Sequence, residues 1–506
     1  MRVQTLKLRC ELKLVPVTRL LGAAALALVL DAGSARAADP REITLPPLDP
    51  IRGPLVVSSE NPRYFAGTDG KAVYLTGSHT WANLVDMGPT DPPSPFDFDA
   101  YLEFLGEHHH NYIRLWSWEM SKWQYPKGEL QFTSPMPWQR TGPGLAVDGK
   151  PRFNLQLANP AYFERLRDRV VAAGKRGIYV GIMLFEGNEL FMALAPEEGH
   201  PFSPRNNING LDADPEKTGS YINIHTLKRP EITRVQEAYV RWVVDRVNDL
   251  DNVIYEIANE SGVYSREWQY HMVNFVKDYE RTKPRQHPVG LSFFHSKVGG
   301  SGPNSLLFNS PADWISPGRE GGREGGYRRD PPESDGKKVI LADSDHFFGI
   351  GGDIAWVWKT VCRGSNPIFM DPYREREKPD APPYPESSFS DHFNSRIDLD
   401  MRWEGIRRNL GYALAYAQRM NLNKARPDSI RAYSGYCLSA GTEFLIYLPD
   451  GKSTLVDLAD VDGRLDVEWL DPESGLVHDG DVVAGGGTRR FEAPFPGQAV
   501  LFLHSR

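Results

Sequence analysis

The sequence predicts an α/β protein that consists of a (β/α)8 TIM barrel and a small C-terminal antiparallel β-sandwich. Eight short apolar runs alternate with helical segments over roughly 350 residues, which is the pattern of such a barrel. Beyond residue 426 the helical periodicity stops, and short strands separated by turns continue to the C-terminus. The 506 residues suffice for one large domain and one smaller one.

The eight apolar runs have the composition of buried parallel strands. They are rich in Val, Ile, Tyr and Phe and are bounded by Gly, Pro, Asn or Asp, which is typical of strands covered on both faces. We expect strands at Ala72–Gly77, Asn111–Trp118, Ile178–Phe185, Val253–Ala258, Pro288–Phe294, Asp313–Ser316, Lys338–Ala342 and Pro367–Met370. Helical periodicity predicts helices at Phe96–His108, Pro160–Ala173, Pro230–Leu250, Ser265–Arg281 and Leu399–Met420. The alternative is an open doubly wound sheet, which would need a Gly-rich phosphate-binding turn that this sequence lacks.

The C-terminal region has a different pattern, in which short apolar segments alternate with turns. The strands expected in the sandwich are Thr442–Leu448, Ser453–Leu458, Leu465–Leu470 and Ala499–Leu503. We therefore divide the chain into a Pro-rich leader over residues 38–54, a barrel over residues 55–425 and an accessory β-sandwich over residues 426–506.

Residues 1–37 predict export. The apolar run Leu20–Leu30 follows Arg19 and precedes an Ala-x-Ala site that ends at Ala37, which is the pattern of a secretory signal peptide. A buried N-terminal helix is the alternative, although the apolar run is short for one. We expect cleavage after Ala37 and a periplasmic or extracellular protein.

Composition excludes several function classes. A net charge of −8 argues against a nucleic-acid partner, because phosphate binding needs a basic face. The signal peptide holds the only long apolar run, so we expect no membrane-spanning segment. Cys362 and Cys437 remain after maturation, and we expect unpaired buried thiols, although spacing alone leaves a bridge open. Nothing has the spacing of a zinc site; we expect neither metal nor cofactor, and the composition leaves the oligomeric state open.

The predicted site lies at the C-terminal ends of the strands, where barrel enzymes place their catalytic residues. Carboxylates follow five of the eight predicted strands, with His, Asn, Arg and aromatic residues among them. Sugar rings stack on aromatic side chains, and sugar hydroxyls need planar donors and acceptors. The candidate substrate-binding residues are His79, Trp81, Arg114, Trp116, Trp118, Glu186, Asn188, Asn259, His295, His346, Trp356, Asp371 and Tyr373.

Each of these candidates has a structural alternative. Glu186 could pair with Arg114 on the neighbouring strand, and Asp371 could shape the turn before the next proline. His79 and His295 could be satisfied polar residues of the barrel mouth. About half of the tryptophans are expected in the core.

Asn259 and Glu260 form the most specific signal. The segment NVIYEIANES places Glu260 directly after an apolar strand and behind an Asn. Cleavage of a glycosidic bond needs one carboxylic acid to protonate the leaving oxygen and one carboxylate to attack or to activate water. The alternative is a Glu that caps the next helix or forms a salt bridge. At the end of strand seven, Asp343 and Asp345 are the candidate partners, and either could instead cap the following turn or pair with an Arg.

This segment resembles the clan-A glycoside hydrolases, barrels whose acid/base Glu follows an Asn at the end of strand four and whose nucleophile ends strand seven. The resemblance implies Glu260 as acid/base and Asp345 or Asp343 as nucleophile, although the clan has Glu on strand seven. The segments NPRYFAGTDGKAVYLTGSHTW, IMLFEGNEL, the HPF…NNINGL loop, DSDHFFGIGGDIAWVWK and NPIFMDPY are similar to the apiosidase-like, clan-A-related bacterial proteins. That similarity implies a C-terminal sandwich of the collagen-binding type and a pectin-type sugar such as apiose or arabinofuranose.

We therefore expect a secreted glycoside hydrolase that cleaves a poly- or oligosaccharide by two-carboxylate acid/base catalysis with retention of configuration. The two carboxyl groups of a retaining pair lie ~5–5.5 Å apart, and those of an inverting pair ~6.5–9.5 Å apart. Because strand seven carries Asp, the alternative is a non-catalytic carbohydrate- or matrix-binding protein on an inactive barrel. A metal-dependent barrel hydrolase is a third hypothesis.

Overall fold

Eight parallel strands form the centre of the computed structural model, which describes residues 39–126, 128–295, 297, 300–320, 326–349, 351–373 and 401–506, without the side chains of residues 401 and 402. The signal peptide predicted over residues 1–37 lies outside the described residues. The strands are β1 (Gly77–His79), β2 (Tyr112–Leu115), β3 (Tyr179–Glu186), β4 (Val253–Asn259), β5 (Val289–Ser292), β6 (Trp314–Ser316), β7 (Val339–Asp343) and β8 (Asn366–Met370).

The strands follow the order β1-β8-β7-β6-β5-β4-β3-β2, so that neighbours along the chain are neighbours in the sheet. Asn111 links the two outer strands, because its backbone N–H donates to the Thr76 carbonyl at 3.0 Å and its Oδ1 accepts from the Thr76 N–H at 2.9 Å. The sheet is therefore a nearly closed ring, and the predicted (β/α)8 barrel is confirmed.

Helices follow most of the barrel strands. The longer helices are α1 (Phe98–Glu107), α2 (Pro160–Gly174), α3 (Pro230–Val247), α4 (Arg266–Glu280), α5 (Ile354–Cys362) and α6 (Met401–Arg419). Asp97 caps α1 by accepting from the Ala100 N–H, and Asp353 caps α5 by accepting from the Trp356 N–H. Shorter helical segments lie at Asn188–Met192, Pro196–Gly199, Ile222–His225, Val263–Ser265, Ser305–Phe308, Gly326–Arg328 and Asp345–Phe348. Among the residues described above, every helix is too short or too polar to cross a bilayer.

The first barrel strand begins later than predicted. Ala72–Val73 pairs antiparallel with Phe65–Ala66, which also pairs with Val56–Val57, so these residues form a separate small sheet. The barrel strand starts at Gly77, where an added Cβ would lie only 2.2 Å from the Tyr112 carbonyl oxygen. Glycine is needed there because β1 approaches β2 so closely.

The loops around β2 contain strands that the sequence analysis did not predict. Trp138–Leu145 and Pro151–Ala158 form a hairpin, and Asp86–Gly88, Gln131–Ser134 and Lys122–Trp123 form a three-stranded sheet. These segments enlarge the C-terminal end of the barrel on the side of β2.

Antiparallel sheets at the C-terminus fit the predicted small β-sandwich. The larger sheet has the order Arg41–Glu42, Leu476–Ala484, Arg464–Leu470, Ala499–Ser505, Phe444–Leu448, Cys437–Ser439, Arg426–Pro427. The smaller sheet pairs Ser453–Asp457 with Thr488–Glu492. The first of these strands, Arg41–Glu42, comes from the predicted leader.

The strand Phe444–Leu448 is apolar throughout because both of its faces are covered. Phe444, Ile446 and Leu448 belong to the core inside the sandwich, whereas Leu445 and Tyr447 belong to the core that includes the barrel helices. Cys362 of α5 and Cys437 of the larger sheet lie buried in this region as free thiols, and the Cys362 Sγ donates to the Leu445 carbonyl at 3.6 Å.

Candidate active site

Arg114 of β2 is the centre of an ion cluster inside the barrel. Its Nε and Nη2 donate to the Glu256 carboxylate at 2.6 and 2.5 Å, and its Nη2 also donates to Asn259 Oδ1 at 2.8 Å. Burial lowers the pKa of Arg114, but Glu256 and Asp343 raise it by more, so the guanidinium stays charged. The partner considered for Arg114 from the sequence was Glu186, and the structure places Glu256 there instead.

Asp343, the last residue of β7, completes this cluster. Its Oδ2 lies 2.8 Å from His79 Nε2 and 3.5 Å from Arg114 Nη1, and its Oδ1 accepts from the Asp345 N–H at 3.0 Å. Burial raises the pKa of Asp343, but the contact with His79 and the charge of Arg114 outweigh burial and hold it well below the usual range. We call His79, Arg114, Glu256 and Asp343 the buried ion cluster.

Asp345 lies two residues further along the chain and has different surroundings. It begins the short helix Asp345–Phe348 and is partly exposed. Burial and the negative charges of Glu260 and Asp343 raise the pKa of Asp345 well above its usual value. Carboxylates that repel each other in this way bind one proton between them. Glu260 after β4 and Asp345 after β7 are therefore near enough to influence each other electrostatically.

Glu260 directly follows β4 and is also partly exposed. Its φ is 42°, in the left-handed region that residues with side chains rarely adopt and that functional sites often contain. Its Oε2 accepts from Asn188 Nδ2 at 2.6 Å. Both neighbours of Glu260 in the chain make hydrogen-bond contacts. The Asn259 carbonyl accepts from the Gly187 N–H at 2.8 Å, and Ser261 Oγ lies 2.7 Å from His225 Nδ1.

Glu186, the last residue of β3, is a fully buried neighbour of Glu260. It accepts from Asn259 Nδ2 at 3.1 and 3.2 Å and from the Asn188 N–H at 2.7 Å. Burial and the charge of Glu260 raise the pKa of Glu186 to about 8, against the opposing effect of these hydrogen bonds. This carboxyl group is therefore protonated in the folded protein near neutral pH.

A second buried network, absent from the predicted candidates, lies next to Glu186. Glu119 Oε1 accepts from the Glu186 N–H at 3.0 Å and lies 2.8 Å from His225 Nε2, and Glu119 Oε2 lies 3.3 Å from His200 Nε2. Burial raises the pKa of Glu119, but His225 and His200 lower it to about 2. His200 and His225 come from the long connection between β3 and α3; His200 begins the HPF segment, and no periodicity marks His225.

Several of the other candidates pack against one another near the strand ends. The Trp116 ring stacks on His79 at 5.6 Å between centroids, and Trp118 stacks on Trp123 at 4.9 Å. The Trp81 carbonyl accepts from Trp118 Nε1 at 3.0 Å. These tryptophans are almost fully buried.

The two candidate histidines beyond β4 differ in exposure. His295 is partly exposed, with its Nδ1 3.0 Å from Ser301 Oγ, so it is available to a ligand. His346 is buried, and its Nδ1 lies 3.0 Å from Ser316 Oγ. Burial lowers the pKa of His346 to about 3, so the ring is neutral.

Three candidates are held in the packing of the barrel. Trp356 is 1% exposed and packs against Phe347 and Phe348. Asp371 accepts from Arg407 Nε and Nη2 at 2.8 and 2.6 Å, an ion pair rather than a turn contact. Tyr373 packs on Tyr101 and Phe104 with ring centroids 4.8 Å apart in both cases. Within the described part of the chain, no group of three or more His, Cys, Asp and Glu side chains is arranged to hold a metal ion.

The same fold occurs in solved glycoside hydrolases. A crystal structure of a glycoside hydrolase family 5 protein from Bacteroides vulgatus matches with a TM-score of 0.56 and 13% identity, over 90% of this chain and 94% of that chain. A structure described as a glycoside hydrolase matches with a TM-score of 0.55 and 14% identity, over 90% of this chain and 98% of that chain. No family sequence model and no curated protein sequence matches this chain. The clan-A resemblance therefore holds at the level of the fold.

Proposed function

We propose that the protein is a glycoside hydrolase whose catalytic carboxylates are Glu260 and Asp345. One observation carries the proposal: these two carboxylates reach solvent at the ends of β4 and β7, and the charge of Glu260 raises the pKa of Asp345. A glycosidic bond is cleaved between one protonated and one ionised carboxyl group, which is the state that such a pair adopts. The barrel shared with glycoside hydrolases supports the same reaction class.

In this mechanism Glu260 is the acid/base and Asp345 the nucleophile. Glu260 protonates the leaving oxygen while Asp345 attacks the anomeric carbon, and Glu260 then takes a proton from the water that hydrolyses the glycosyl-enzyme. Before substrate binds, burial and the charge of Glu260 favour the proton on Asp345. The mechanism requires this proton to be on Glu260 once substrate is bound, a redistribution that two coupled carboxylates permit. Asp343 is the positioning residue that accepts the Asp345 N–H.

The substrate in this proposal is a poly- or oligosaccharide outside the cytoplasm. The N-terminal residues support export, and the C-terminal β-sandwich serves as an accessory domain. Apiose and arabinofuranose are the first sugars to test, because the apiosidase-like resemblance implies them.

The test measures reducing ends released by the mature protein from aryl furanosides, aryl pyranosides and pectic or bacterial polysaccharides. We expect turnover by the wild type and a loss of about 10³- to 10⁴-fold in Glu260→Gln with an unchanged melting temperature. Glu267→Gln, which alters an exposed carboxylate on α4, is the matched control. Near-normal turnover in Glu260→Gln would remove Glu260 from the mechanism. Polysaccharide binding without any release of reducing ends would instead support the non-catalytic alternative.

A further inference from the structure

A chain of three side chains, Tyr125, Asn188 and Glu260, connects the loops after β2, β3 and β4. Tyr125 OH donates to Asn188 Oδ1 at 3.0 Å, and Asn188 Nδ2 donates to Glu260 Oε2 at 2.6 Å. The Asn188 backbone is also fixed, since its N–H donates to Glu186 Oε1 at 2.7 Å. The amide of Asn188 is thus held between a buried hydroxyl and the proposed acid/base.

The chemistry of these groups allows two arrangements of the amide. The amide nitrogen only donates and the amide oxygen only accepts, whereas a tyrosine hydroxyl can do either. The observed orientation suits an ionised Glu260, which can only accept. If the amide turned over, Oδ1 would accept from a protonated Glu260 and Nδ2 would donate to the Tyr125 oxygen. Both hydrogen bonds are kept in each arrangement because Tyr125 can change its role.

We propose that Asn188 is a positioning residue whose amide turns over in step with the proton on Glu260, with Tyr125 as the partner that makes both orientations possible. The inference rests on the proposed function, in which Glu260 is an acid in the first step and a base in the second. A partner that serves both protonation states holds the Glu260 carboxyl group in one place throughout the cycle, which is what proton transfer to a positioned oxygen requires.

The charges around this chain are compatible with that role. Among the residues that the structure describes, the titratable groups that interact with Glu260 include Glu186, Asp345 and the Tyr125 hydroxyl. Burial raises the pKa of Tyr125 well above its usual value, so the hydroxyl keeps its proton and can donate. Burial and the charge of Glu260 raise the pKa of Glu186 to about 8, so near neutral pH this carboxyl supports Asn188 without adding a negative charge.

The test compares Asn188→Ala and Tyr125→Phe with the control Tyr279→Phe. Tyr279 lies on α4, and its hydroxyl donates to the exposed Asp245 carboxylate of α3. The measured quantity is kcat/KM on phenyl and 2,4-dinitrophenyl glycosides of a sugar that the wild type hydrolyses. Dinitrophenolate leaves without protonation, so only the phenyl substrate depends on proton donation by Glu260. We expect a loss of about tenfold in Asn188→Ala and a smaller loss in Tyr125→Phe on the phenyl substrate alone. Tyr279→Phe should have the same kcat/KM as the wild type on both substrates.

A second comparison separates positioning from a purely structural role. In a Glu260→Gln background, Asn188→Ala should cause no further loss, because the group it acts through can no longer donate or accept the catalytic proton. Equal losses on both substrates, or additive losses in the double variant, would overturn the inference. If the single variant Asn188→Ala had the wild-type kcat/KM on the phenyl substrate while the single variant Glu260→Gln lost activity, the inference would be overturned and the proposed function would stay intact. Turnover of the phenyl substrate by Glu260→Gln at the wild-type rate would overturn the proposed function itself.

Discussion

Asp343 and Asp345 are two residues apart at the end of the same strand, yet their surroundings are opposite. Burial raises the pKa of both, but at Asp343 the contact with His79 and the charge of Arg114 lower it by more. At Asp345 the negative charge of Glu260 raises the pKa further. The comparison shows that the sign of the neighbouring charge, and not the place at the strand end, separates a carboxylate that stabilises the barrel from one that can exchange a proton.

The largest expected effect is on activity, in Asp345→Asn. We expect the rate of hydrolysis to fall about 10³-fold or more, because the nucleophile of the proposed mechanism is lost. The free energy of unfolding should stay the same or rise, since the substitution removes a carboxylate that Glu260 repels. Steady-state kinetics and guanidinium unfolding of the same preparation check both parts. A large loss of stability would place Asp345 with the buried ion cluster instead.

The corresponding substitution Asp343→Asn should act on stability. It removes the partner of His79 and one partner of Arg114, and breaking a buried ion pair costs about 3–5 kcal/mol. Because the pKa of Asp343 is lowered in the folded protein, its contribution is present above the ordinary aspartate pKa of about 3.9 and is lost as the pH falls below it. The unfolding free energy at pH 7 and at pH 3 measures both effects. A variant as stable as the wild type at pH 7 would contradict the role given to the cluster.

The effect expected for Glu186→Gln depends on pH. The folded pKa of Glu186 is about 8, above the ordinary value, so its contribution to stability is full below about pH 4.3 and is lost as the pH rises to about 8. Gln cannot ionise and keeps the shape of the protonated acid. The stability of the variant relative to the wild type should therefore increase with pH, by up to about 1.4 kcal/mol per unit. Glu267→Gln is the control, and a difference that stays constant between pH 5 and pH 8 would contradict the shift.

Sequence patterns predicted the barrel because each parallel strand is a local apolar run and the order of the ring follows the chain. The same patterns failed to predict strands that pair with residues far away in the sequence, and they failed where two short strands follow each other closely along the chain. Ala72–Val73 looked like the start of the barrel strand but pairs outside it, and the barrel strand starts five residues after Ala72, at Gly77. Arg41–Glu42 gives no apolar signal, because its place is set by pairing with Leu476 and Val477 at the other end of the chain.

The candidate site was predictable in outline for the same reason, since residues that follow parallel strands meet at one end of a barrel. The partners of each charge were not predictable. Arg114 pairs with Glu256 in the middle of an apolar strand, and Glu119 pairs with His225 from the long connection between β3 and α3. These contacts join residues more than a hundred positions apart, so only the folded ring determines which carboxylate meets a cation.

The most direct test of the central claim is covalent labelling by an activated 2-deoxy-2-fluoro glycoside of the sugar that the wild type hydrolyses. Such a reagent forms a glycosyl-enzyme that hydrolyses slowly, so digestion and mass spectrometry can locate the modified residue. We predict a single label on Asp345, formed also in Glu267→Gln and absent from Asp345→Asn. A label on Glu260 or Asp343, or no label together with a product of inverted anomeric configuration, would contradict the assignment of Glu260 and Asp345 as a retaining pair.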